Sequence, residues 1–113
     1  WGVRFLWQRY GRPIYITENG QSCNDRIFLD GCVHDPDRID FLHRYLLALR
    51  AAAEGGADVR GYFHWALTDN FEWSEGYRER FGLVYIDYVT GACIPKDSAA
   101  WYAETVRANG ENL

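Results

Sequence analysis

Two short segments rich in β-branched and aromatic residues alternate with helical patterns, and this alternation constrains the fold most. PIYIT (13–17) and VRGYFHWAL (59–67) predict buried strands. Strands that alternate with helices indicate parallel βα units. A parallel pair needs cover on both faces and leaves two open edges. The pattern therefore predicts an α/β chain that forms roughly a quarter of a closed barrel rather than a complete domain.

Apolar residues recur at helical spacing in three other segments. The predicted helices cover residues 1–10, 36–54 and 97–109. Gly11 follows the first as a helix stop, and Asp35-Pro36 begins the second with a capping carboxylate and a proline at the first helical position. The predicted connections are loops over residues 19–35 and 68–82 and a short extended segment over 83–88.

Composition and charge exclude several classes of protein. Of the 113 residues, 48% are hydrophobic and 25% are charged, as in globular proteins. The net charge of -4 argues against a nucleic-acid partner, because phosphate binding needs a basic face. No apolar run approaches the roughly 20 residues of a membrane helix, so we expect no membrane partner.

The cysteines predict neither a disulfide framework nor a metal site. Cys23, Cys32 and Cys93 form an odd set without CxxC spacing. We expect free thiols in a reducing compartment and therefore a cytoplasmic location. No secretory signal pattern is visible at the first residue, Trp1.

In a βα barrel the chemistry lies at the carboxyl ends of the strands. That rule selects Glu18, directly after the first strand, and the segment from Trp65 to Trp73 after the second. A single glutamate at a strand end is more often a surface residue. The second segment, however, holds two indoles and two carboxylates, which suit the apolar face and the hydroxyls of a sugar. Core packing of the tryptophans is an equally strong alternative.

Four longer motifs make the pattern specific: YITENG (15–20), GYFHWALTDNFEW (61–73), GYRERFGLVYIDY (76–88) and KDSAAWY (96–102). In their order and length they resemble glycoside hydrolase family 1, the β-glucosidase family. The resemblance implies a (β/α)8 TIM barrel in which the two strand segments are strands seven and eight. Residues 1–113 would then be the C-terminal segment of a single barrel domain.

The resemblance also implies roles for five residues. Glu18 matches the nucleophile of the family's TENG motif. Trp65 matches the platform under the bound sugar, and Glu72 matches the carboxylate that holds two sugar hydroxyls. Trp73 matches a donor to a further hydroxyl, and Phe81 matches a wall of the site near carbon 6.

The implied reaction is retaining hydrolysis of a β-glucoside or small oligosaccharide, without a cofactor. Glu18 would form a glycosyl-enzyme intermediate while a second carboxylic acid protonates the leaving group. The family carries that acid in an Asn-Glu-Pro motif, which is absent here, so the segment needs the remainder of the barrel and should be inactive alone. Glu72 would repel a phosphate near carbon 6, which favours unphosphorylated sugars. The alternatives are a non-catalytic sugar-binding protein and a truncated structural segment.

Neighbouring polar residues have simpler expected roles. Strand alternation predicts that His64 faces away from Trp65 and is packed or hydrogen-bonded rather than catalytic. Asp69 and Asn70 are expected to cap and brace the loop. Arg80 is expected to pair with a neighbouring glutamate on a solvated loop.

Overall fold

The computed structural model describes residues 1–113, and its elements follow the predicted order. Three helices and four strands follow one another along the chain: α1 (Gly2–Tyr10), β1 (Ile14–Asn19), α2 (Pro36–Glu54), β2 (Val59–His64), β3 (Val84–Ile86), β4 (Cys93–Pro95) and α3 (Asp97–Arg107). β1 and β2 pair in parallel, as predicted, whereas β3 and β4 form an antiparallel hairpin. β3 lies within the predicted extended segment over 83–88, whereas β4, which is only three residues long, was not predicted.

The prediction that the two long strands are buried is wrong within this chain. Their sheet has only two members, and one face is open: Tyr15 is 55% and Phe63 is 58% exposed. The residues are apolar enough for a buried strand, but burial requires partners on both edges and both faces. β2 also ends at His64, so the last three residues of the predicted strand belong to the following loop.

The predicted stop of α1 and the predicted start of α2 are both observed, but the expected N-terminal cap of α2 is not. Gly11 adopts a left-handed conformation at φ 57°, and its N–H donates to the carbonyl of Trp7 at 2.8 Å, which closes α1 as predicted. α2 begins at Pro36, also as predicted, but the Asp35 carboxylate does not cap it. That carboxylate accepts from the backbone N–H of Ser98 at 2.9 Å and so joins α2 to α3.

Polar side chains make up much of the interior. The buried apolar residues are Val33, Leu42, Ala52, Ala57, Ala66 and Leu83. An equal number of polar residues is buried: Asp35, Arg38, Asp69, Lys96, Ser98 and Thr105. Because buried charges require partners, ion pairs hold this part of the fold together alongside apolar packing. None of the helices has the length and hydropathy needed to cross a bilayer.

Candidate functional site

A β-bulge near the end of β1 decides which way Glu18 faces. The pairs Ile16–Tyr62 and Asn19–His64 enclose one more residue in β1 than in β2. The extra residue interrupts the alternation of the strand, so that Glu18 and the residue before it are both exposed. Glu18 therefore lies on the open face of the sheet at the carboxyl end of the strand.

The loop that follows β2 is fastened to the end of β1. The backbone N–H of Trp65 donates to the carbonyl of Asn19 at 3.0 Å. Gly20 packs so tightly against the same segment that a Cβ atom there would lie 1.8 Å from the carbonyl oxygen of Trp65. These contacts place Trp65 beside the strand end that carries Glu18.

Trp65 in turn contacts Glu72. Its indole Nε1–H donates to the Oε1 of Glu72 at 3.1 Å. The amide of Asn70 has two possible orientations. In one, Nδ2 donates to the carbonyl of Thr68 at 3.3 Å. In the other, it donates to Glu72 Oε1 at 2.8 Å and to the carbonyl of Phe71 at 3.2 Å. We assign the second because it satisfies both amide atoms.

The other two predicted residues are attached differently. Phe81 is half-buried, and its carbonyl accepts from the backbone N–H of Ala66 at 3.1 Å, which ties it to the segment that begins at Trp65. Trp73 is 83% exposed and begins a single helical turn, Trp73–Glu75, with a left-handed φ of 47°. The structure thus gathers Trp65, Glu72 and Phe81 beside the end of β1, while the Trp73 indole extends into solvent.

His64 has the packing role expected of it. Its Nε2 lies 3.3 Å from the carbonyl of Phe81, which fixes this nitrogen as the protonated one. The other ring nitrogen is buried without a partner. Burial lowers the pKa of His64 below its ordinary value, because the charged imidazole would lose its hydration.

Asp69 and Arg80 have more important places than their sequence suggested. The buried Asp69 carboxylate accepts from the backbone N–H of Gly82 at 2.9 Å and from Arg80 Nη1 at 2.6 Å. Asp69 therefore braces the loop, as predicted. The expectation that Arg80 pairs with a neighbouring glutamate is wrong: its partner is Asp69, and its guanidinium stacks over Tyr85 and Tyr88.

The candidate site is an open face rather than a closed cavity. Clefts of about 500 and 400 Å³ lie elsewhere, the first between α1, α2 and the sheet and the second along α1. No group of three or more His, Cys, Asp or Glu side chains is placed to hold a metal ion. All three cysteines are unpaired.

The parallel pairing of β1 and β2 across α2, with acidic and aromatic residues at the carboxyl ends of both strands, places the chain among α/β proteins. Comparison with known protein families identifies one family. The model of glycosyl hydrolase family 1 matches residues 2–111, and the chain belongs to this family.

Individual relatives agree with that assignment. Beta-glucosidase A of Thermotoga maritima is 46% identical over 111 residues, which make up 97% of this chain and 25% of that protein. A bifunctional beta-D-glucosidase/beta-D-fucosidase of Bifidobacterium breve is 53% identical over 96 residues, or 81% of this chain and 21% of that protein.

The fold is equally similar. A beta-glucosidase from Thermotoga maritima, solved in complex with glucoimidazole, superposes with a TM-score of 0.96 at 45% identity. The match covers 97% of this chain and 25% of that structure. The chain therefore spans about a quarter of the length of the relatives it matches.

Proposed function

We propose that the protein containing this chain is a retaining β-glycosidase that acts on unphosphorylated β-glucosides. Residues 1–113 would supply strands seven and eight of its (β/α)8 barrel as β1 and β2. The observation that carries the proposal is the hydrogen bond from Trp65 N–H to Asn19, because it sets Glu18 beside the Trp65–Glu72 pair. A nucleophile, an indole platform and a hydroxyl-binding carboxylate are the parts that this chemistry requires of the two strand ends.

Each side chain has a distinct role in the proposed reaction. Glu18 attacks the anomeric carbon from the open face and holds the sugar as a covalent ester. Trp65 stacks on the apolar face of the ring. Glu72 accepts from sugar hydroxyls through the oxygen that Trp65 does not occupy, Trp73 donates to a further hydroxyl, and Phe81 walls the site near carbon 6.

A second carboxylic acid must protonate the leaving oxygen and later activate water. In retaining enzymes it lies about 5–5.5 Å from the nucleophile. The Asn-Glu-Pro motif expected to carry it does not occur in residues 1–113. The remainder of the barrel is therefore the partner that completes the site.

The preference for unphosphorylated sugars follows from charge. A Glu72 carboxylate near carbon 6 would repel a phosphate dianion. Competition in the full-length protein tests this preference: glucose should inhibit more strongly than glucose 6-phosphate. Tighter binding of the phosphate would contradict it.

Covalent labelling tests the nucleophile directly. The full-length protein is incubated with a 2-fluoro β-glucoside, which slows hydrolysis of the intermediate, and the labelled peptide is sequenced by mass spectrometry. We expect the label on Glu18 and none in Glu18→Gln. Labelling of another carboxylate, or turnover that survives Glu18→Gln, would remove the assignment. Binding of sugar without labelling or turnover would favour the non-catalytic alternative.

A further inference from the structure

A buried lysine joins the two loops that carry the proposed site. Lys96 Nζ donates to Asp25 Oδ2 at 2.5 Å and to Asp69 Oδ1 at 2.8 Å. Asp25 belongs to the loop that follows β1 and Glu18, and Asp69 belongs to the loop that follows β2. The side chains of Lys96 and Asp69 are 0% exposed and that of Asp25 is 2% exposed, so all three ionised groups are removed from water.

Further ion pairs extend from this centre. Arg38 Nη2 donates to the same oxygen of Asp25 at 2.7 Å, and Arg38 also pairs with Asp35. Arg80 pairs with Asp69 at 2.6 Å. Three carboxylates and three cations thus alternate in one neutral network. Lys96 alone among these cations is bonded to a carboxylate of each loop.

The network holds the backbone on both sides. Asp69 accepts from the N–H of Gly82, and its own N–H donates to the carbonyl of Val84 at 3.0 Å. On the other side, the carbonyl of Arg80 accepts from the N–H of Cys23 at 3.1 Å. Asp69 is three residues before Glu72, so any shift of Asp69 is passed along a short stretch of backbone to Glu72.

From this geometry we propose that Lys96 is a positioning residue, which sets the placement of Glu72 relative to the strand end that carries Glu18. The inference rests on the proposed function. Lys96 touches no position available to a sugar, because it is buried behind both loops; it acts through Asp25 and Asp69. An ammonium suits this place because its three donors can meet carboxylates from two directions. Without it, Asp25 and Asp69 would each keep one arginine partner, Arg38 and Arg80, but no cation would stand between the two buried carboxylates.

The test uses the full-length protein and the variant Lys96→Met, which keeps an unbranched side chain, one atom shorter, and removes its charge. We expect kcat/KM for an aryl β-glucoside to fall by about 100-fold, the scale of a displacement of about 1 Å in a catalytic group. KM should rise because Glu72 is displaced, and kcat should fall because Glu18 and the sugar are misaligned. Active sites are counted by 2-fluoro glycoside labelling, so that kcat refers to folded molecules only.

Two further variants keep the test decisive if Lys96→Met does not fold. The double variant Lys96→Met/Asp25→Asn removes the like-charge contact and should fold while retaining the low kcat per site. Asp25→Asn alone keeps every cation and should lower kcat in the same direction. Arg44→Gln, which breaks an exposed ion pair with Asp40 on α2, is the matched control and should leave both constants unchanged.

The outcomes separate the two proposals. If the unmodified protein neither turns over nor is labelled, the proposed function fails. In the other case, the unmodified protein is active while the folded Lys96 and Asp25 variants keep kcat per labelled site, and KM, within about twofold of its values. The network then only stabilises the fold, and the positioning role is overturned.

Discussion

Trp65 and Glu72, seven positions apart in the chain, are joined by a hydrogen bond of 3.1 Å from the indole Nε1–H to the carboxylate Oε1. In the proposed site, the platform residue would therefore also orient the carboxylate that receives the sugar hydroxyls. With Asn70 donating to the same oxygen at 2.8 Å, Oε1 is held by two donors. In the proposed site, the other oxygen of Glu72 is then the one left for the sugar hydroxyls.

Replacing Trp65 by Phe in the full-length protein separates the two roles of the indole. The aromatic face remains, but the donor to Glu72 is lost. A hydrogen bond to a charged group contributes about 1.5–3 kcal/mol when buried, and this pair is partly exposed, so we expect KM to rise by about tenfold. Steady-state kinetics with an aryl β-glucoside measure the change. Trp1→Phe, at a tryptophan that is fully exposed in this chain and remote from Glu72, is the control, and equal KM values in both variants would contradict an orienting role.

Gly20→Ala should disturb the contact between the two strand ends. The added methyl would lie 1.8 Å from the carbonyl oxygen of Trp65, and backbone cannot move aside as a flexible side chain can. Overpacking of this kind costs about 1–3 kcal/mol. We expect a lower urea midpoint and lower activity in the full-length protein. Gly2→Ala, where a methyl meets no atom within 4 Å of this chain, should lower neither; if Gly20→Ala behaves like it, the contact is not as tight as described.

His34 predicts a pH dependence outside the site. Its ring nitrogens lie 2.6 Å from Asp97 and 2.9 Å from Asp30, and these carboxylates raise the pKa of His34 above the ordinary value of 6.5. When protonated, His34 joins the loop after β1, through Asp30, to the start of α3, through Asp97. Because the pKa is raised on folding, this contribution is fully present below pH 6.5 and is lost as the pH rises through the raised pKa.

Two measurements test the pH range over which His34 stabilises the fold. An NMR titration of His34 should give a pKa above 6.5 that falls in Asp30→Asn. The difference in urea midpoint between the unmodified protein and His34→Gln should shrink as the pH rises through that titration. A difference that stays constant, or grows, over the same range would show that the pairing adds nothing on protonation.

Local signals explain why the order of elements could be predicted. The αL cap at Gly11 and the proline at the start of α2 act within one helical turn, and both are where the sequence placed them. The β-branched and aromatic residues of β1 and β2 identified strands, yet they could not show that one face of the sheet lacks cover in this chain. Burial depends on neighbours that the segment itself does not contain.

The parts of the site that the sequence did not reveal depend on distant partners. Lys96 and Asp25 are 71 positions apart, and no spacing rule relates them. KDSAAWY was recognised as a motif, but its role emerges only when Lys96 reaches Asp69 and Ser98 reaches Asp35. The bulge that turns Glu18 to the open face is likewise a property of the pairing between strands rather than of either strand alone.

The last prediction concerns the 113-residue chain by itself. In the proposed reaction, Glu18 forms a glycosyl ester only if an acid protonates the leaving group, and the motif expected to supply that acid does not occur in these residues. The face that should hold the sugar is also open to water, which weakens every electrostatic interaction made there. The purified chain should therefore show no turnover of an aryl β-glucoside above background, with the full-length protein assayed in parallel as the positive control. Turnover by the isolated chain that is unaffected by Glu18→Gln would mean that another group performs the chemistry.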